Sequence, residues 1–252
     1  MNADRRPTAA ACLGVLMLKL VTSGGNRAYV RPRMGLLLLL AGFSLAGVAF
    51  ICLISSLRSP PPRRTETGKL AHRPGHLLGR TLELMLLVPI VLMAVTPPAP
   101  LGAAAAEMRG RSSMAPTTSV FPPLPQPVMG AVPLTVSDFV GRALYDVDGS
   151  LRGIRVRLVG LVASDPGAPP DGFRLVRFAM FCCAADAIPM RIHVRGARSR
   201  YFPVDSWVEV IGAWRPTPPG PAGTFDPSMM PTLDAVGVRS VPEPSDPYDP
   251  PF

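Results

Sequence analysis

Ile154-Arg155-Val156-Arg157-Leu158, at the centre of residues 152–164, alternates apolar and charged side chains. A period of two places Ile154, Val156 and Leu158 on one face of an extended strand and the two arginines on the other. A turn signal follows from Asp165-Pro166-Gly167 to Asp171-Gly172. Residues 173–181 form a second aromatic and β-branched run. Residues 190–195 alternate again, with Ile192 and Val194 inward and Arg191, His193 and Arg195 outward. Residues 207–214 read as a fourth strand and 233–241 as a fifth. Before the first strand, residues 135–144 carry helical spacing, with Thr135 or Ser137 as the cap.

Five short strands joined by glycine-rich turns suit a small closed Greek-key barrel. The expectation for residues 134–241 is an OB-like β-barrel, with a generic small sandwich as the other arrangement. Residues 96–133 are dense in proline, alanine and serine and read as an extended spacer. Residues 242–252 read as a proline-rich tail.

Upstream the chemistry changes. Residues 34–57 hold no charged side chain, and about 20 apolar residues suffice to cross a bilayer core. Two further apolar runs, 8–22 and 77–95, complete an expected three-span membrane α-helical half over residues 1–95. Lys19 near the end of the first is expected to snorkel to the headgroups. In the third, Arg80 and Glu83 share a helix face and can pair near the membrane surface.

Charge divides as unevenly as hydropathy. Residues 1–130 carry 14 Lys+Arg against 4 acids, and residues 131–252 carry 12 Arg against 13 acids. The basic excess lies between the apolar runs, as membrane topology places it, and not on the barrel, where a nucleic-acid binder needs it. No nucleic-acid partner is expected. Arg155, Arg157, Arg191 and Arg195 are the only set that would line a strand-binding face. Counting basic loops over three spans predicts a multi-pass cell-membrane protein with its C-terminal domain outside the cytoplasm.

Catalysis finds no support. The chain lacks a glycine-rich phosphate loop, a zinc-hydrolase helix motif and a serine nucleophile elbow, and has three histidines. His72 and His76 stand at metal-ligand spacing, but Pro74-Gly75 between them opposes the helix such a site needs. Cys12 and Cys52 sit in apolar runs and read as small hydrophobes.

The unusual run is Phe181-Cys182-Cys183-Ala184-Ala185-Asp186-Ala187. Cys182, Cys183 and Asp186 are candidate ligands for a transition metal such as zinc, with His193 as a further donor, or Cys182 and Cys183 do thiol-redox chemistry. Buried structural thiols at a strand end and a disulfide to another molecule are the competing readings. Neighbouring cysteines seldom bond to each other, because their Cα atoms lie about 3.8 Å apart, below the usual disulfide range. Asp186 has a plainer role open to it, capping the turn.

With these features in view, the chain resembles the YcgQ-type family of bacterial membrane proteins. The likeness rests on Tyr29-Val30-Arg31-Pro32, the Leu-rich span ending at Pro97-Pro98 with Leu101-Gly102 beyond it, and the Cys-Cys-Ala-Ala-Asp-Ala run at 182–187. Trp207-Val208-Glu209-Val210-Ile211-Gly212 and the tail from Pro244 to Tyr248 complete it. Members are described as permease subunits that accompany a multi-span permease. The resemblance implies an accessory, non-enzymatic subunit with two partners, a multi-span permease subunit and the lipid bilayer, and a barrel that meets substrate or partner.

Overall fold

The computed structural model describes residues 6–58, 88–109, 121–164, 172–196, 201–216 and 230–251. The chain divides into two compact units, Met1–Ala99 and Pro100–Phe252.

In the first unit, α1 (Arg6–Thr22) and α2 (Gly35–Arg58) pack against each other through a turn at residues 23–34. The contact is close because glycine meets glycine. A Cβ on Gly14 would stand 3.0 Å from the Gly42 carbonyl oxygen, and a Cβ on Gly42 would stand 3.3 Å from that of Gly14. Gly35, Gly42 and Ala49, the buried positions of α2 among those described, recur every seven residues. Small residues at that period let two helix backbones approach. A third helix, α3, covers residues 88–95. Lys19 does not snorkel in isolation: its ammonium donates to the Ala94 carbonyl in the last turn of α3 at 2.8 Å, where the helix end is electronegative.

The expected three-span helical half is corrected here. Among the described residues only the stretch Pro32–Cys52, within and just before α2, is long and apolar enough to cross a membrane. The apolar part of α1, Ala11–Thr22, rises only about 18 Å against a core of about 30 Å. Most of the run at 77–95 lies outside the described residues, as do Arg80, Glu83, His72 and His76. A basic-residue count across three spans, and the outward orientation drawn from it, therefore lose their footing.

The second unit is a closed five-stranded barrel. Its strands are β2 (Arg155–Ala163), β3 (Gly172–Ala179), β4 (Ile188–Arg195), β5 (Trp207–Arg215) and β6 (Thr232–Ser240). The ring runs β2-β3-β4-β6-β5 and back to β2, with all neighbours antiparallel except β4 and β6. That order, with the third and fifth strands parallel, is OB-fold topology. β2 pairs with β5 along most of its length and with β3 at its end. It turns between them at Gly160, where a Cβ would lie 2.9 Å from the Val176 carbonyl oxygen. Between Ile211 and Gly212 the β5–β6 register shifts, leaving Val236 as an extra residue in β6, a bulge.

The alternation that marks β2 holds: Val156 and Leu158 are fully buried in the core with Phe173, Leu175, Ile192, Val194, Val208 and Leu233. Helix α5 (Val136–Tyr145) adds Val136, Phe139 and Val140 to that core. Its N-cap is Thr135, whose hydroxyl accepts from the Asp138 N–H at 3.0 Å.

The described residues of 96–133 and 242–252 are more than a spacer and a tail. Residues 103–108 form helix α4 (Ala103–Met108), and β1 (Val132–Pro133) pairs parallel to β2. β7 (Tyr248–Asp249) pairs parallel to β3. The reason is the outer face of β3. Val176 and Phe178 point away from the barrel interior and are still fully buried, in a cluster with Met180, Ala103, Ala106, Ala187 and Tyr248. A strand apolar on both faces needs cover on both. The nominal spacer and tail supply it.

Candidate functional site

The Cys-Cys-Ala-Ala-Asp-Ala run is the connection between β3 and β4, and its shape is set by Asp186. The carboxylate accepts the Phe181 N–H on Oδ1 at 2.9 Å, and the Cys182 and Cys183 N–H groups on Oδ2 at 2.9 and 3.1 Å. The Cys182 thiol donates to the same Oδ2 at 2.8 Å. Ala184–Asp186 forms a 3-10 turn in which the Cys183 sulfur accepts the Asp186 N–H, completing a reciprocal capping box. Cysteine here takes the place usually held by serine or threonine.

A second element holds the loop from outside. Arg109, just past α4, donates to the carbonyl oxygens of Ala187 and Ala184, the latter at 2.9 Å. Its guanidinium stacks over the Phe178 ring at 5.9 Å. Helix α4 is fastened in turn. The Ala103 N–H donates to Asp205 and the Leu101 N–H to the Tyr248 hydroxyl, while Arg191 donates to the Ala106 carbonyl. Ala103 and Ala106 are fully buried against the strand, because a methyl group is small enough to let the helix backbone lie on the sheet.

This geometry sets the electrostatics. Burial alone would raise Asp186, but the Cys182 thiol and three backbone N–H groups outweigh it and hold the carboxyl at about 2. The same carboxylate, accepting from the thiol, pushes Cys182 up to about 11, with Cys183 adding to the rise. Near neutral pH the Cys182 sulfur therefore keeps its proton, a poor setting for a nucleophile.

The sequence-level candidates separate into two places. Cys182, Cys183 and Asp186 converge, with one donor atom from each lying within 4.8 Å of the others. His193 does not join them. It sits beside Arg174 and Thr232 in the sheet, five residues beyond Ile188 along β4, about 17 Å away at the rise of an extended strand. The reading of buried structural thiols also fails for Cys182, which is exposed, while Cys183 is half-buried and both are free thiols. The capping role foreseen for Asp186 is present.

Two of the four outward arginines on the barrel are spent on backbone. Arg157 donates to the Val128 carbonyl and Arg191 to that of Ala106. Sequence reasoning missed Arg109, since nothing local connects it to a loop 75 residues away. The only trace is Ala103, Ala106 and Arg109 falling three apart, on one helix face.

Residues 6–112 match the DUF1980 N-terminal domain and residues 136–249 the DUF1980 C-terminal domain. The chain belongs to the DUF1980 family. The C-terminal DUF1980 match opens on the first residue of α5 and closes on the last of β7, so it takes in α5, the barrel and the covering strand. The N-terminal DUF1980 match extends through Arg109, although α4 and Arg109 pack on the barrel. No curated protein and no solved structure matches the chain.

Proposed function

We propose that this DUF1980 chain is a membrane-attached accessory subunit of a permease, held at the bilayer by α2, with the barrel presenting its thiol loop to substrate or to the partner. The observation that carries this reading is the outer surface of α2. Leu36, Leu37, Leu40, Phe43, Val48, Phe50 and Ile51 are each more than half exposed, on a helix of 24 residues, about 36 Å long. Water-soluble chains seldom leave so large a contiguous apolar surface bare, and a bilayer or a partner's apolar helices would cover it. The resemblance to the YcgQ-type family points to a multi-span permease as that partner.

The test is co-expression with any multi-span membrane protein that a neighbouring gene encodes, followed by mild detergent extraction and affinity purification through the accessory chain. The two are expected to co-elute in fixed ratio. Elution of the chain alone, or recovery of the uncleaved full-length chain in the soluble fraction without detergent, overturns the proposal.

A further inference from the structure

We propose that Cys182 and Cys183 are the ligand pair of a binding site for a thiophilic d10 cation, of the zinc or monovalent-copper class, with Asp186 orienting them and within reach as a third donor. One donor atom from each of the three already lies within 4.8 Å of the other two. Two sulfurs bound to a tetrahedral ion at about 2.3 Å stand about 3.8 Å apart. The sulfurs therefore start within about 1 Å of the separation such an ion needs.

The loop is built before any ion arrives. Three backbone N–H groups on Asp186 and the Arg109 clamp on Ala184 and Ala187 fix where both cysteines start. Held donors lose little freedom on binding, which favours capture. Cys182 is exposed, so a further coordination position faces outward, open to water or to a ligand from another molecule. Such an open site suits uptake and hand-over more than permanent storage. Hard cations do not fit: calcium and magnesium need six or more oxygens, and this loop offers one carboxylate beside two sulfurs.

Binding needs no oxidant or reductant. The Cys182 S–H bond to Asp186 Oδ2 is given up, each thiol releases its proton to buffer, and two metal–sulfur bonds form in their place. The inference stands apart from the accessory-subunit reading, since a chain that finds no permease partner would still take up the ion.

The experiment uses the reduced full-length chain in detergent, with Cys12→Ala and Cys52→Ala to remove the other thiols. Cadmium is titrated in without oxygen, following the thiolate-to-metal ultraviolet band, with equilibrium dialysis for stoichiometry. One cadmium per chain is expected, displaced by zinc and by monovalent copper and not by excess calcium. The band should disappear in C182S/C183S while the far-ultraviolet circular dichroism stays the same. A missing band in the parent chain, full binding by the double-serine variant, or displacement by calcium overturns the inference.

Discussion

Arg109 donates to the Ala184 carbonyl oxygen at 2.9 Å across 75 residues of chain. One guanidinium thus ties the segment entering the barrel to the loop that carries both exposed thiols, and it also reaches Ala187. The loop's geometry therefore depends on residues that sequence alone assigns to a spacer.

Arg109→Ala should cost the second unit about 2–4 kcal/mol, the range for losing charge-assisted bonds with partial access to water. Hydrogen exchange of amides 181–187 should rise several-fold, with the β2–β5 ladder little changed. Exchange kinetics by mass spectrometry decide it. Unaltered protection in the loop would mean the clamp is incidental.

The Asp186 carboxyl gives a pH signature. Its folded value of about 2 lies below the ordinary unfolded value of about 3.9. Its contribution is then complete above about pH 4 and fades as pH falls toward 2. Loop protection in the parent chain should follow that decline, whereas Asp186→Asn should show weaker protection with no such slope. Because Asp186 also raises Cys182, the asparagine variant should alkylate faster at Cys182 near pH 8, measurable by mass-tagged maleimide.

Asp249 anchors the covering strand β7. It pairs with Arg177 at 2.8 Å and accepts the Ser137 N–H at the start of α5, while itself 3% exposed. Asp249→Ala strands a nearly buried guanidinium and should destabilise the barrel by about 3–5 kcal/mol. Both tryptophans of the chain, Trp207 and Trp214, lie in β5, so denaturant unfolding followed by tryptophan emission reports on this unit. A midpoint unchanged from the parent would contradict the assigned role.

Glu209 and Arg239 bridge β5 and β6 at 2.8 Å. The hydrogen bond from Arg239 holds the Glu209 carboxyl below its usual range. That stability is present above the unfolded glutamate value of about 4.3 and is lost as pH drops through the folded one. Since Arg239 is largely exposed, Glu209→Gln should cost only about 0.5–1 kcal/mol at pH 7. The same unfolding curves, compared at pH 7 and pH 3, should show the difference shrinking.

Gly42→Leu tests the helix pair in the first unit. A Cβ there would come within 3.2–3.3 Å of Leu18 and the Gly14 carbonyl, so a full leucine must force α1 and α2 apart. Thermal unfolding in detergent, read by far-ultraviolet circular dichroism, should shift several degrees lower and broaden. Gly47→Leu is the control, since nothing lies within 4 Å of that position.

The sequence by itself determined what local chemistry can specify. The two-residue period from Ile154 to Leu158 marked a strand and its buried face, because side chains on extended backbone alternate without reference to anything distant. Thr135 was legible as a cap for the same reason: its partner, the Asp138 N–H, is three residues away. The cluster of Cys182, Cys183 and Asp186 was legible because one short turn contains it. Tertiary structure alone decided the rest. It separated His193 from the thiols, since alternation fixes a side chain's face and not its distance along a strand from a loop. It placed Ala103, Ala106 and β7 over the outer face of β3, a match between surfaces more than 60 residues apart in the chain. It also left one helix of spanning length among the described residues and made the apolar part of α1 too short to cross, because hydropathy records how apolar a segment is, while helix length decides what that segment can cross.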